Sequence, residues 1–233
     1  MLTQRVVALV ACTWTLSSCM PRPAEAPVPI ASTVSGGVGG PAGAAGLQVD
    51  PDRSAVTILV RRAGALARLG HNHAIVSGSE SGVAWIGPDL AGSGFEIRLP
   101  VQAFVVDDPQ ARAGAGPDFA EAVSDSARQG TYANLLRAEV LDAARYPDVI
   151  VNATRVGGPW EDPRVKARVT LRGASRDVEV PITLRREPAM LAATGVMRIR
   201  QTDFGITPFS IGAGAIQVAD ELEVRFAIVA SRR

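Results

Sequence analysis

Val165-Lys166-Ala167-Arg168-Val169-Thr170-Leu171-Arg172-Gly173-Ala174-Ser175-Arg176-Asp177-Val178-Glu179-Val180-Pro181-Ile182-Thr183-Leu184-Arg185 decides the fold. Val165, Ala167, Val169 and Leu171 alternate with Lys166, Arg168, Thr170 and Arg172. Beyond Gly173-Ala174-Ser175-Arg176, Val178, Val180, Ile182 and Leu184 alternate with Asp177, Glu179, Pro181 and Arg185. A period of two puts every apolar side chain on one face of an extended chain. Two such runs across a four-residue turn predict an antiparallel hairpin with one wet face. Pro181 has no N–H for a ladder, so it predicts an edge or a bulge.

The same period recurs in both directions. Val56, Ile58 and Val60 alternate with Thr57, Leu59 and Arg61. His73 to Ile86 reads as a long strand bent around Gly78 or Gly82. Phe95, Ile97, Leu99 and Val101 alternate with Glu96, Arg98 and Pro100. Val149-Ile150-Val151 reopens the pattern after Pro147, Gly195 to Gln201 is a shorter candidate, and Leu222, Val224, Phe226 and Ile228 form the last strand. Residues 117–146 break the period. Asp118 to Val123 and Tyr132 to Leu141 fit helices, with Pro117 as a start and Gly130 between them. About eight alternating strands with one short helical insert predict an all-β fold. A closed or nearly closed antiparallel barrel is favoured because it leaves no edge. Such a barrel is wide enough for side chains or one small ligand. Small residues read as inward, Ala167 and Ala227 among them, either leave room inside or pack closely.

Composition narrows the function. The chain has 233 residues, 47% of them hydrophobic and 5% aromatic, so a core is available from Val, Leu, Ile and Ala. The net charge of +1 makes no electrostatic case for nucleic acid. Both cysteines, Cys12 and Cys19, lie near the start, so the body has no thiol or disulfide chemistry. There is no Gly-x-Ser-x-Gly, P-loop or dinucleotide fingerprint, and the chain reads as a non-enzyme. Ser77, Ser79 and Ser81 near His73 read as the polar face of a strand, and Asp107-Asp108 as a turn before Pro109.

Residues 1–19 read as a secretion signal, with Arg5 before an apolar run to Leu16. Leu16-Ser17-Ser18-Cys19 resembles the bacterial lipoprotein box, which makes Cys19 the lipidated first residue; the alternative is cleavage near Ala24 or Ala26. Residues 20–47, rich in Pro, Gly and Ala, read as a flexible tether, and residues 48–233 as the folded domain. By analogy with other lipoproteins, Met20 after the cysteine favours the outer membrane over inner-membrane retention.

The only two histidines lie in Arg68-Leu69-Gly70-His71-Asn72-His73-Ala74-Ile75-Val76. In an extended chain His71 and His73 share a face. They read either as hydrogen-bonded residues beside a Gly turn or as a functional pair. A metal or haem site would need further ligands, for which Asp107, Asp108 and Asp203 are the candidates.

Four segments in order resemble the YceI-like family. They are Gly70-His71-Asn72-His73-Ala74-Ile75-Val76-Ser77-Gly78; Asn134-Leu135-Leu136 with Val140 to Asp148; Val169 to Pro181; and Arg200-Gln201-Thr202-Asp203-Phe204-Gly205-Ile206. The resemblance covers about residues 48–230. It implies a lipocalin-like barrel that holds a polyisoprenoid or another long-chain amphiphilic lipid in the bacterial periplasm. On that implication His71, Asn72 and His73 contact the head group, and Phe95, Phe104, Leu135, Phe204 and Phe209 line the wall. No cofactor is implied beyond a bound isoprenoid-type lipid. The partners are that lipid, the membrane through the anchor and, as a further candidate, a second copy in a homodimer. The competing readings are a metal- or haem-binding accessory protein using His71 and His73, and a structural lipoprotein whose barrel is filled by its own side chains.

Overall fold

The computed structural model describes residues 45–232; the signal, the lipidation site Cys19 and most of the tether lie outside the described residues. The strands are β1 (Ala45–Val49), β2 (Ala55–Val60), β3 (Arg62–Ala63), β4 (His73–Ser77), β5 (Ser81–Ile86), β6 (Gly94–Pro100) and β7 (Val105–Val106). After helices α1 (Pro109–Ala115) and α2 (Asp125–Leu136) come β8 (Asp148–Gly157), β9 (Arg164–Leu171), β10 (Ala174–Glu187) and β11 (Met190–Arg200). β12 (Ser210–Ile211), β13 (Ile216–Val218) and β14 (Glu221–Ser231) complete the chain. The expected boundary at residue 47 falls inside β1.

These strands make one closed antiparallel barrel of eight staves. β1 and β2 pair with the same edge of β14, at Val49↔Ala230 and at Val56↔Phe226, so together they form one broken stave. β4 and β5 likewise follow β2 and β1, and β7 and β6 follow β4 and β5. β8, β9, β10, β11 and β14 run unbroken to the closure. The bent strand expected from His73 to Ile86 is β4 and β5, with the break at residues 78–80. Gly82 sits just beyond it with φ +148, where a Cβ would strike the backbone of Glu96.

Alternation sends Val56, Leu99, Val149, Val169, Leu171 and Val224 into the main core. The helical insert covers the outside of the broken staves, where Leu59 and Ala74 pack against Ala115 and Phe119. A small sheet of β3, β13 and β12 lies at the end of the barrel where β2 finishes.

Four local expectations are corrected. The β9–β10 turn has two residues, Arg172 (φ 50) and Gly173 (φ 75), with Leu171 paired to Ala174. Two left-handed residues match the right-handed twist of the flanking strands better than a four-residue loop does. Gly130 lies inside α2, which Ser124 caps by accepting from the Ala127 N–H at 3.2 Å. A glycine there costs about 1 kcal/mol, which the packing of Tyr132, Leu135 and Leu136 on the core offsets. The insert also starts earlier than Pro117, because Asp108 caps α1 by accepting from the Gln110 and Ala111 amides. Pro181 occupies neither an edge nor a bulge. It stands at the last paired position of β9 and β10, opposite Arg164, where few ladder bonds need its missing N–H.

Candidate ligand-binding site

The barrel holds two cavities that meet at a waist. The larger, about 370 Å³, lies at the histidine end, and the smaller, about 130 Å³, lies at the opposite end. Val56, Leu99, Val151, Met197 and Val224 border both. Apart from Ser93, the smaller chamber is walled by apolar and aromatic side chains, including Trp85, Phe95, Trp160, Ile182 and Phe226. Ala167 also lines it. Ala227 falls between the lining residues Phe226 and Ile228, so alternation turns it outward. The larger chamber has an apolar wall too, but it collects nearly every polar group: Arg62, His71, His73, Thr131, Asn134, Gln201 and Gln217.

Strand breaks place these groups. His73 opens β4 opposite Val60. β7 is only two residues long, and Asp107 follows it with φ 57. The Asp107 N–H donates to the Ala74 carbonyl at 2.7 Å, and its Oδ1 accepts the Ala74 N–H at 3.0 Å. Its Oδ2 lies 2.7 Å from His73 Nδ1, and Arg112 of α1 donates to Oδ1 at 2.5 Å. Burial opposes the charge on Asp107, but the hydrogen bonds from His73, the Ala74 amide and Arg112 outweigh it. They hold the carboxyl below its ordinary range. The Thr131 hydroxyl stands 3.4 Å from His73 Nε2.

His71 lies beside it, with ring centres 6.4 Å apart. The buried Nδ1 of His71 has no hydrogen-bond partner and is 3.7 Å from Glu121 Oε1. Arg62 donates to the Gly70 carbonyl at 2.6 Å and to Glu121 at 3.2 Å.

The residues singled out from sequence divide accordingly. His71, His73, Phe104, Leu135 and Phe209 line the larger chamber, and Phe95 lines the smaller. Asn72 lines neither: its Oδ1 accepts from the Arg62 amide at 2.9 Å and its Nδ2 donates to the Asp118 carbonyl at 2.8 Å. Phe204 is buried in the core outside both chambers. Thr131, Asn134, Arg62 and the waist residue Met197 were not anticipated. Thr131, Asn134 and Leu135 have the i, i+3, i+4 spacing of one helix face, a signal hidden by reading Gly130 as a break.

As for a metal, Asp108 is used as a helix cap and Asp203 lies in a separate outer cleft. Among the described residues no group of three or more His, Cys, Asp or Glu is placed to hold an ion.

Several solved structures share this barrel. BcnA of Burkholderia cenocepacia superposes with a TM-score of 0.57 at 19% identity, covering 78% of this chain and 99% of its own. A polyisoprenoid-binding domain of Saccharophagus degradans implicated in plant cell wall breakdown gives 0.54 at 10% identity, covering 80% and 98%. The YceI protein of Campylobacter jejuni gives 0.51 at 12% identity, covering 68% and 84%. At these identities the likeness is one of fold. No curated protein matches the chain. The YceI-like domain profile matches residues 47–230, almost the whole described barrel, and the chain therefore belongs to the YceI-like family.

Proposed function

We propose that the barrel binds one long-chain amphiphilic lipid of the polyisoprenoid class and performs no chemistry on it. The observation that carries this is the polarity gradient along one enclosed interior. Polar side chains gather at the histidine end, and the far chamber is almost wholly apolar. An amphiphile fits such a site in one direction, with its tail past the Met197 waist and its head beside His71 and His73. Each methylene taken from water contributes about 0.8 kcal/mol, so affinity comes mainly from the tail and orientation from the head. The polyisoprenoid-binding neighbour from Saccharophagus degradans supports the choice of lipid class.

The cell-envelope setting rests on residues 1–19. We place the protein on the periplasmic side, held by a lipid on Cys19, with the outer membrane favoured. Incorporation of labelled fatty acid that disappears in Cys19→Ser would support the anchor, and unchanged incorporation would reject it.

Native mass spectrometry tests the binding. The full chain carrying Cys19→Ser, purified without detergent, is expected to carry or take up one isoprenoid or acyl lipid. Met197→Trp, which fills the waist, is expected to reject long tails while still accepting short ones. A bare mass after incubation with both lipid classes rejects the reading.

A further inference from the structure

We propose that the lipid's head group is an uncharged hydrogen-bond donor, an alcohol or phenol, and that His73 Nε2 is the atom that selects it. The inference rests on the barrel reading above and adds the chemistry of its polar end.

The first argument is the tautomer. A carboxylate can only accept, and Asp107 Oδ2 sits 2.7 Å from His73 Nδ1, so Nδ1 carries the proton. Asp107 is kept as the carboxylate by the Ala74 amide and Arg112 as well. In the neutral ring Nε2 is then a lone-pair acceptor. Its one partner among the described residues is the Thr131 hydroxyl, and 3.4 Å is long for such a bond. An underused acceptor on the wall of an apolar chamber is best satisfied by a ligand that brings a proton.

The second argument is charge. An acidic head would need a free cation, and the two arginines that hydrogen-bond the histidine segment, Arg62 and Arg112, are engaged. Arg62 holds the Gly70 carbonyl and Glu121. Arg112 holds Asp107, the Asn72 carbonyl and the Glu121 carbonyl. Arg62 with Glu121 and Arg112 with Asp107 cancel in pairs, and the exposed Arg68 is not part of the chamber wall. A diphosphate would therefore leave water for a site whose wall, among the described residues, offers no unpaired arginine. A hydroxyl fits: it donates to Nε2 and accepts from the Asn134 or Gln217 amide on the same wall.

The test compares four probes with one tail: geranylgeraniol, its methyl ether, its diphosphate and its aldehyde. Binding is measured with the Cys19→Ser full chain at about pH 8, well above the ordinary imidazole range. The alcohol is expected to bind about tenfold tighter than the ether, the scale of one buried hydrogen bond, and tighter than the diphosphate. His73→Phe is expected to bring alcohol and ether to a common affinity. Asp107→Asn offers the ring a donor instead of an acceptor, which moves the proton to Nε2. In that variant the preference is expected to pass to the aldehyde of the same tail. Equal affinity of the wild-type chain for alcohol and ether, or tightest binding of the diphosphate, overturns the head-group assignment and leaves the barrel reading intact. Failure to bind any of the probes overturns both.

Discussion

Five staves of the barrel run unbroken and three are each cut in two, and the two sides solve the same problem differently. On the unbroken side, β8 to β11 and β14, neighbouring backbones satisfy each other. Side chains simply alternate, Val165, Ala167, Val169 and Leu171 inward and arginine ion pairs such as Arg168–Asp177 outward. On the broken side the ladder stops and starts, and buried backbone groups need other partners. Ser54, between β1 and β2, accepts from the Val229 N–H at 3.0 Å and donates to its carbonyl at 3.3 Å. Asp107 performs the same service for Ala74 beyond β7. Ser77 and Glu80, at the β4–β5 break, are buried with side-chain oxygens that lack partners. Breaks recruit polar side chains into the structure, and one of them, Asp107, is the residue that orients His73.

The distinction is sharpest at Asp107. Asp107→Ala leaves the nearly buried Arg112 unpaired and the Ala74 amide unsatisfied, so it is expected to lose about 3–5 kcal/mol in urea unfolding. A loss within experimental error would mean that the break needs no patch. Its pH signature is fixed in sign. The folded carboxyl titrates below its ordinary value, so the stabilisation is present above pH 3.8 and fades as the pH falls through the lower folded value. Next comes the unbroken side. Gly173→Ala puts a Cβ at φ 75 and against the Tyr146 ring, and should cost about 1–2 kcal/mol without altering the choice between alcohol and ether. A changed choice would erase the division between the two sides.

Glu80→Gln should act in the opposite direction. Burial raises the Glu80 pKa against the hydrogen bonds that lower it, so ionisation penalises the folded state. Stability from this group is complete below pH 4.5 and declines as the pH rises through the folded value. The glutamine is expected to gain about 1 kcal/mol at neutral pH and nothing at acid pH, read from thermal melting at both. Asp177→Asn, at the exposed Arg168 pair, is expected to leave the melting temperature unchanged.

Legibility in the sequence follows the same division. The hairpin from Val165 to Leu184 was readable because an unbroken strand writes its two faces into every residue. Its turn reads as longer than it is because Arg172 is an unusual residue for a left-handed position. The broken side was readable only in fragments. β7 has two residues, too few for a period, yet its pairing with β4 is what carries Asp107 to a histidine 34 residues away. Asn72 stands between the histidines in sequence, but alternation sends it to the other face. Gly130 reads as a break although it lies inside α2, and that masks the helix face of Thr131 and Asn134. The breaks, the short strands and the helix that complete the site are settled by tertiary packing, which overrides local preference.

The closure has a consequence for how the molecule comes into being. The first stave meets the last, Val49 beside Ala230 and Leu59 beside Glu223, so the two chambers do not exist until both ends of the chain are present. A nascent or truncated chain that stops before Glu221 is an open sheet with two unpaired margins, an invitation to other strands rather than a container. Sealing joins segments far apart in sequence, which makes it a slow event by topology alone. The container and its capacity to hold anything thus depend on the final strand, which both margins of the sheet must meet.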